Sequence, residues 1–135
     1  MTKPLFGDIF NDEISYYFYA TSVSESLGAE AVKCGNAYIV QCSGNDASNV
    51  KKQLDGIQGE SVRIRNYTNQ TYQRILQKYS SLIVRAEAFD DMSIFLCYDD
   101  SLPNFAVVSD IKVNTQIAIS KDEINIGYPL ILNGY

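Results

Sequence analysis

The chain of 135 residues contains no histidine and no tryptophan. Histidine is the commonest general base and metal ligand in proteins, and it activates the nucleophile in Ser-His and Cys-His pairs. Its absence excludes mechanisms that depend on such a pair and removes the usual ligand of a metal site. The sequence also lacks the G-x-S-x-G, P-loop and G-x-G-x-x-G motifs. We therefore predict that the protein is not an enzyme and binds no metal and no cofactor.

Cysteines are few and long apolar runs are missing. Cys34, Cys42 and Cys97 form no C-x-x-C sequence that would indicate a zinc or redox site. An odd number of cysteines leaves at least one thiol unpaired, which favours a reducing compartment and thiols that are buried or half-buried on strands. No stretch has the apolar length of a signal peptide or of a membrane span. These features predict a cytoplasmic protein that does not associate with a membrane.

The rest of the composition is typical of one globular domain. Hydrophobic residues make up 46% of the chain and charged residues 20%, both close to the average for soluble domains. A chain of this length suffices for one domain and is too short for two ordinary ones. Pro4, Gly7 and mixed charges predict a loose N-terminal lead-in over residues 1–12, followed by a single domain over residues 13–135.

Three segments in the first half of the domain have the composition or the alternation of β-strands. Residues 13–22 are rich in aromatic and β-branched side chains, which favours a strand. A helix is the alternative there, because Ile14 and Phe18 would also share one helical face. Residues 37–43 and 60–66 alternate with a period of two and are predicted to be strands.

Two helices are predicted in the same half of the chain. The first begins at Asn45 or Asp46, either of which can cap it, and ends at Gly56. The second is capped by Thr68 or Asn69 and carries an apolar stripe at helical spacing.

From residue 82 onward the sequence predicts four strands that are joined as hairpins. These strands cover residues 82–89, 92–98, 111–120 and 124–132. The complete order of elements predicts an α+β domain, with a mostly antiparallel sheet and two helices packed on one face.

Several segments together resemble a known family. They are GIQGESVRI (56–64), ILQKY (75–79), the strand that carries Glu87, and the ending KVNTQIAISKDEINIGYPLILNGY (112–135). They are similar to the uncharacterised bacterial proteins called YwmB-like, over about residues 30–135. This resemblance implies a TATA-box-binding-protein-like fold. A fold does not establish DNA binding, and the resemblance supplies no catalytic residues.

Charge is unevenly distributed along the chain. The formal net charge is −5, yet residues 51–85 contain seven basic and two acidic residues. Seven polar side chains fall on the outward set of the predicted strands, and we call them the predicted binding set: Arg63, Arg65, Arg85, Lys112, Asn114, Gln116 and Asn125. Guanidinium and amide groups can contact phosphates and base edges. The same pattern is also typical of an ordinary solvated sheet face with cross-strand charge pairs.

These features predict an interaction module that binds a protein or peptide partner through its polar sheet face or an edge strand. The alternative is a nucleic-acid-binding protein that uses the basic segment 51–85 on the same face. A net charge of −5 disfavours this alternative, because it repels a phosphate backbone on average.

Overall fold

The computed structural model describes residues 4–6, 13–24 and 29–133, and the fold is that of these residues. Their strands are β1 (Glu13–Val23), β2 (Glu30–Cys34), β3 (Ala37–Ser43), β4 (Leu54–Arg65), β5 (Ile83–Phe89), β6 (Met92–Cys97), β7 (Ala106–Val108), β8 (Ile111–Val113), β9 (Thr115–Ile119) and β10 (Glu123–Tyr128). Their α-helices are α1 (Ala47–Lys51) and α2 (Asn69–Tyr79). A 3₁₀ turn at Gly44–Asp46 precedes α1, and another at Ser80–Leu82 follows α2.

Eight of the described strands form one antiparallel sheet, in the order β2-β3-β1-β4-β10-β9-β6-β5. The short strands β7 and β8 pair with each other in a separate sheet. This arrangement confirms the predicted α+β class and the mostly antiparallel sheet. Strands β2 and β5 are the two edges of the large sheet.

One face of the large sheet, called the inner face, packs against both helices. Alternate residues of the three central strands are fully buried there: Tyr16, Phe18, Val62, Ile64, Ile124 and Ile126. They form one hydrophobic cluster with Val50 of α1 and with Ile75 and Tyr79 of α2. Both helices therefore lie on the same face, because their apolar residues meet a single set of alternating strand residues.

Residues 13–23 form strand β1, which settles the choice between strand and helix. Tyr16, Phe18 and Ala20 alternate on the inner face and are fully buried. The strand pairs with β3 on one side and with β4 on the other, so its backbone groups are satisfied by two neighbours. The strand predicted over residues 37–43 is β3, with the same bounds.

The first helix is shorter than predicted, and Gly56 lies within strand β4 instead of ending the helix. Gly56 has a φ of 63°, and a Cβ atom there would lie 2.0 Å from the Oγ1 atom of Thr21. The pairing of β1 with β4 shifts its register close by, between Tyr19 and Ala20. The positive φ and the close approach of Thr21 therefore require glycine here, inside a strand and not at a helix C-terminus.

The prediction of a single strand over residues 111–120 is wrong. The first part, β8, pairs with β7, whereas the second part, β9, belongs to the large sheet. Asn114 separates the two parts, because its buried amide accepts a hydrogen bond from Asp99 N at 2.8 Å and donates one to Asp99 O at 2.6 Å. The last strand also ends earlier than predicted, at Tyr128, which a cis peptide bond joins to Pro129.

The described N-terminal residues are anchored to the core. Pro4 and Phe6 are buried, and the Phe6 ring centroid lies 6.3 Å from that of Tyr16. Residues 4–6 of the segment 1–12, which the sequence predicts as a lead-in, thus pack against the sheet, since Phe6 belongs to the hydrophobic cluster. The other residues of that segment lie outside the described part of the chain.

Thr68 is the N-cap of α2, so of the two predicted caps, Thr68 and Asn69, the first is correct. Its Oγ1 atom accepts a hydrogen bond from the Thr71 amide at 3.1 Å. We expect Thr68→Ala to lower the free energy of unfolding by about 1 kcal/mol, because it removes this acceptor. Urea denaturation measures the loss of stability. Thr68→Ser keeps the hydroxyl acceptor and should therefore retain most of the stability of the wild type. An equal loss in Thr68→Ser would assign the effect to the methyl group and not to the cap.

Candidate functional site

The face of the large sheet opposite the helices, called the outer face, brings together three members of the predicted binding set. Arg63 of β4 pairs with Asn125 of β10, and its Nε atom donates to Asn125 Oδ1 at 3.3 Å. The same Nε lies 3.3 Å from the Glu123 carboxylate, which also accepts from Asn125 Nδ2 at 3.1 Å. The third member, Gln116, lies on the neighbouring strand β9. These guanidinium and amide groups therefore meet, but they bind residues of their own chain.

Residues 129–133 fold back across the outer face, and we call them the C-terminal strap. The Ile131 amide donates to Gln116 Oε1 at 3.0 Å. The Asn133 Nδ2 atom donates to Asn125 Oδ1 at 2.6 Å. Asn125 is only 2% exposed, although the sequence places it toward solvent. The two sheet amides therefore serve as attachment points for the strap.

Two glycines on the outer face leave room for the strap. A Cβ atom on Gly127 would lie 2.3 Å from Leu130 O and 2.4 Å from Ile131 N. A Cβ atom on Gly59 would lie 2.8 Å from the backbone oxygen of Tyr128, where β10 leads into the strap, and 3.7 Å from the Leu132 side chain of the strap. Glycine inside a strand commonly marks the close approach of another backbone. The sequence carries this signal, but it does not identify the segment that approaches.

The other four members of the predicted binding set have different surroundings. Arg65 lies on the outer face, where its Nη1 atom donates to Ser15 Oγ at 3.1 Å. Lys112 lies in the small sheet, with its Nζ atom 4.6 Å from the centroid of the Phe105 ring. Asn114 lies between β8 of the small sheet and β9 of the large sheet. Arg85 lies on β5, at the far edge of the large sheet. The seven residues therefore do not share one surface.

Sequence reasoning missed a buried ion pair between α1 and β4. Lys51 Nζ lies 2.5 Å from Glu60 Oε2, and the two side chains are 9% and 4% exposed. Glu60 Oε1 accepts hydrogen bonds from the Tyr16 hydroxyl at 2.7 Å and from the Leu5 amide at 3.1 Å. Burial and the adjacent Glu60 carboxylate raise the pKa of Tyr16 well above its usual range, so the hydroxyl stays a donor. This carboxylate joins α1, β1 and the N-terminal residues.

The three cysteines are all free. Burial raises the pKa of Cys42 to about 12. It also raises the pKa of Cys97 to about 11. Only the thiolate is a strong nucleophile, so neither of these thiols is activated near neutral pH. Cys97 is buried and Cys34 and Cys42 are half-buried, and all three lie on strands, as predicted.

A cleft of about 130 Å³ opens near the end of α2, where Phe6 and Tyr79 form part of its wall. Lys78 and Asp99 supply its charged groups. Hydrogen bonds from the Ser101 hydroxyl and amide, at 2.6 Å and 3.0 Å, lower the pKa of Asp99, so this carboxylate is ionised and held by its own loop. Small-molecule sites usually occupy about 300 Å³ or more, so the cleft does not resemble a ligand pocket.

The edge strand β5 is a further candidate surface. It pairs with β6, and no strand of the described residues lies beyond it in the sheet. Val84 and Phe89 are 47% and 53% exposed, and Arg85 Nε lies 3.1 Å from Glu87 Oε1. An unpaired edge presents free backbone hydrogen-bonding groups. Here these groups are flanked by exposed apolar side chains.

Within the described residues, no helix is long and apolar enough to cross a membrane. The YwmB-like resemblance and the TATA-box-binding-protein-like fold stay predictions. Comparison of the chain with protein-family models, with curated proteins and with solved structures finds no match.

Proposed function

We propose that this chain is a non-enzymatic protein-interaction domain that binds an extended segment of a protein partner along the edge strand β5. One observation carries the proposal: β5 is the last described strand of the large sheet, and two of its apolar side chains are exposed. When a segment adds to a sheet edge, backbone hydrogen bonds supply affinity and alternate side chains supply specificity. The raised pKa values of Cys42 and Cys97 support the non-enzymatic part of the proposal.

Strand β5 suits this role better than the opposite edge, β2. It contains seven residues against five, so it can form more backbone hydrogen bonds with an added strand. It also exposes two large apolar side chains, Val84 and Phe89, where β2 exposes one, Val32. The polar outer face, the other surface that the sequence suggested, is covered in part by the strap of residues 129–133.

The positions of the basic residues do not favour the nucleic-acid alternative. Lys51 is buried against Glu60, and Arg63 contacts Glu123 at 3.3 Å. Arg85 contacts Glu87 at 3.1 Å, so three cations of the segment 51–85 are engaged with carboxylates of the same molecule. Since no specific contact favours nucleic acid, we put forward the protein partner alone.

Two further assignments belong to this proposal. A TATA-box-binding-protein-like arrangement is supported by an antiparallel sheet that carries both helices on one face. A cytoplasmic location is supported by three free thiols, since oxidising compartments favour disulfides.

We expect extended peptides selected from a random displayed library to bind along β5. Hydrogen exchange should show new protection of the backbone amides of residues 83–89 on binding. Val84→Glu should weaken binding about tenfold, because it places a charge in the apolar contact. Val32→Glu makes the same change at an exposed position of the opposite edge and should leave binding unchanged. Protection that appears on β2 or beside the cleft, or a library without binders, would contradict the proposal.

A further inference from the structure

We infer that the segment bound by β5 is β5 of a second copy of this chain, which gives an antiparallel dimer with twofold symmetry. This inference rests on the proposed edge-strand function and names its partner. Its basis is the complementarity of the strand with itself. Twofold interfaces require this property, because the same patch must face itself in both subunits.

Charged residues of β5 are placed symmetrically about Ala86. Antiparallel pairing centred on Ala86 places Arg85 opposite Glu87 of the second copy. The twofold axis then places Glu87 opposite Arg85 of the second copy. Residues directly opposite each other have Cβ atoms about 4.5–5.5 Å apart, and opposite charges stabilise a strand pair at this distance. The dimer therefore contains the same favourable charge pair twice.

Both side chains are already positioned for this contact. Residues two apart in a strand point to the same face, and Arg85 Nε lies 3.1 Å from Glu87 Oε1 within one chain. The two side chains remain 41% and 38% exposed, so each has a side open to a neighbour. A guanidinium carries five donors and a carboxylate two acceptor oxygens. Each group can thus keep its internal contact while it forms a second contact across the twofold axis.

The rest of β5 is compatible with this register. Ala86 faces its own copy at the axis, where its small side chain permits close approach of the two strands. A register shift between Ile83 and Arg85 lies near one end of the strand, and the residues around Ala86 pair regularly with β6. Val84 and Phe89 lie toward the two ends and are 47% and 53% exposed. A second strand reduces their exposure, which adds an apolar contribution to the charge pairs.

Charge exchange tests the inference by sedimentation velocity over a series of protein concentrations. We expect the wild-type chain to dimerise, with a dissociation constant that rises with salt concentration. Arg85→Glu places two carboxylates opposite each other, and Glu87→Arg places two guanidinium groups opposite each other. Each variant alone should raise the dissociation constant about tenfold. An equimolar mixture of the two variants should form a heterodimer, and the double variant Arg85→Glu/Glu87→Arg should dimerise like the wild type.

Lys33→Glu on the opposite edge β2 is the matched control, because it changes the net charge by the same amount as Arg85→Glu. It should leave the dissociation constant unchanged. A wild-type chain that stays monomeric, a Lys33→Glu variant as weak as Arg85→Glu, or a mixture no tighter than its components would overturn the inference. If the chain is monomeric while selected peptides still protect residues 83–89, the inference of a β5–β5 dimer is wrong and the proposed function stands. If neither a dimer nor peptide protection is found, both are wrong.

Discussion

Lys51→Met is expected to lower the free energy of unfolding by about 3–5 kcal/mol, because it leaves the Glu60 carboxylate buried without its cation. Lys51 Nζ lies 2.5 Å from Glu60 Oε2, with both side chains almost completely buried. The methionine side chain is similar in length and apolar, so the loss of charge and not of volume dominates the change. Equilibrium unfolding in urea at neutral pH measures the effect.

Two further variants separate the ion pair from general effects of the substitution. Lys52→Met makes the same change at the next, exposed residue and should alter the free energy of unfolding by less than about 0.5 kcal/mol. Lys51→Met combined with Glu60→Gln removes both charges and keeps an oxygen for the Tyr16 hydroxyl. This double variant should recover most of the stability, because neutral partners have a smaller desolvation cost than an unpaired carboxylate. A Lys51→Met variant as stable as Lys52→Met would show that the pair does not stabilise the fold.

Gly127→Ala is expected to displace the C-terminal strap and to lower the free energy of unfolding by about 1–3 kcal/mol. The added Cβ atom would lie 2.3 Å from Leu130 O and 2.4 Å from Ile131 N, and both are backbone atoms that cannot move independently. Amides that hold the strap, Gln116 and Asn125, would then lose partners. Hydrogen exchange should increase in the strap, and urea denaturation measures the loss of stability.

A second pair of variants tests whether the strap causes this loss. In a chain that ends at Tyr128, Gly127→Ala should cost almost nothing, because the atoms with which the Cβ collides are gone. Gly35→Asn is the control at an open position, where a Cβ atom would contact nothing within 4 Å and asparagine tolerates the φ of 62°. An equal loss from Gly127→Ala in the shortened chain would contradict the assignment of the clash to the strap.

Local patterns predicted much of the fold. The period-two alternation located β3 within its observed bounds, and the Asp90–Asp91 pair marked the turn between β5 and β6. A threonine before an apolar stripe identified the start of α2. Each of these features depends on residues that are close in sequence, so the local residue types determine them. Strands β2 and β7 were missed, since neither shows a clear alternation.

The sequence contained weaker signals for two features of the outer and inner faces. Glu60 precedes Val62 and Ile64 in the same alternating set, so it stands at an inner position where a charge needs a buried partner. Gly59 and Gly127 interrupt strands, which indicates the approach of another backbone. Neither signal identifies the contacting residue, because Lys51 reaches Glu60, and the strap reaches the glycines, only after the chain has folded.

Alternation, turns and caps act over a few residues, so the α+β class, the strand-rich second half and the position of α2 follow from the local sequence. Which polar side chains remain available to a partner depends on contacts between distant parts of the chain. Asn125 and Gln116 have the pattern of solvated strand residues, yet residues of the strap bind their amide groups. Arg85 has the same pattern and stays exposed, because β5 ends the sheet. Strand order and the path of the strap result from contacts between residues far apart in the chain, such as Ser61 with Asn133, and alternation carries no information about them.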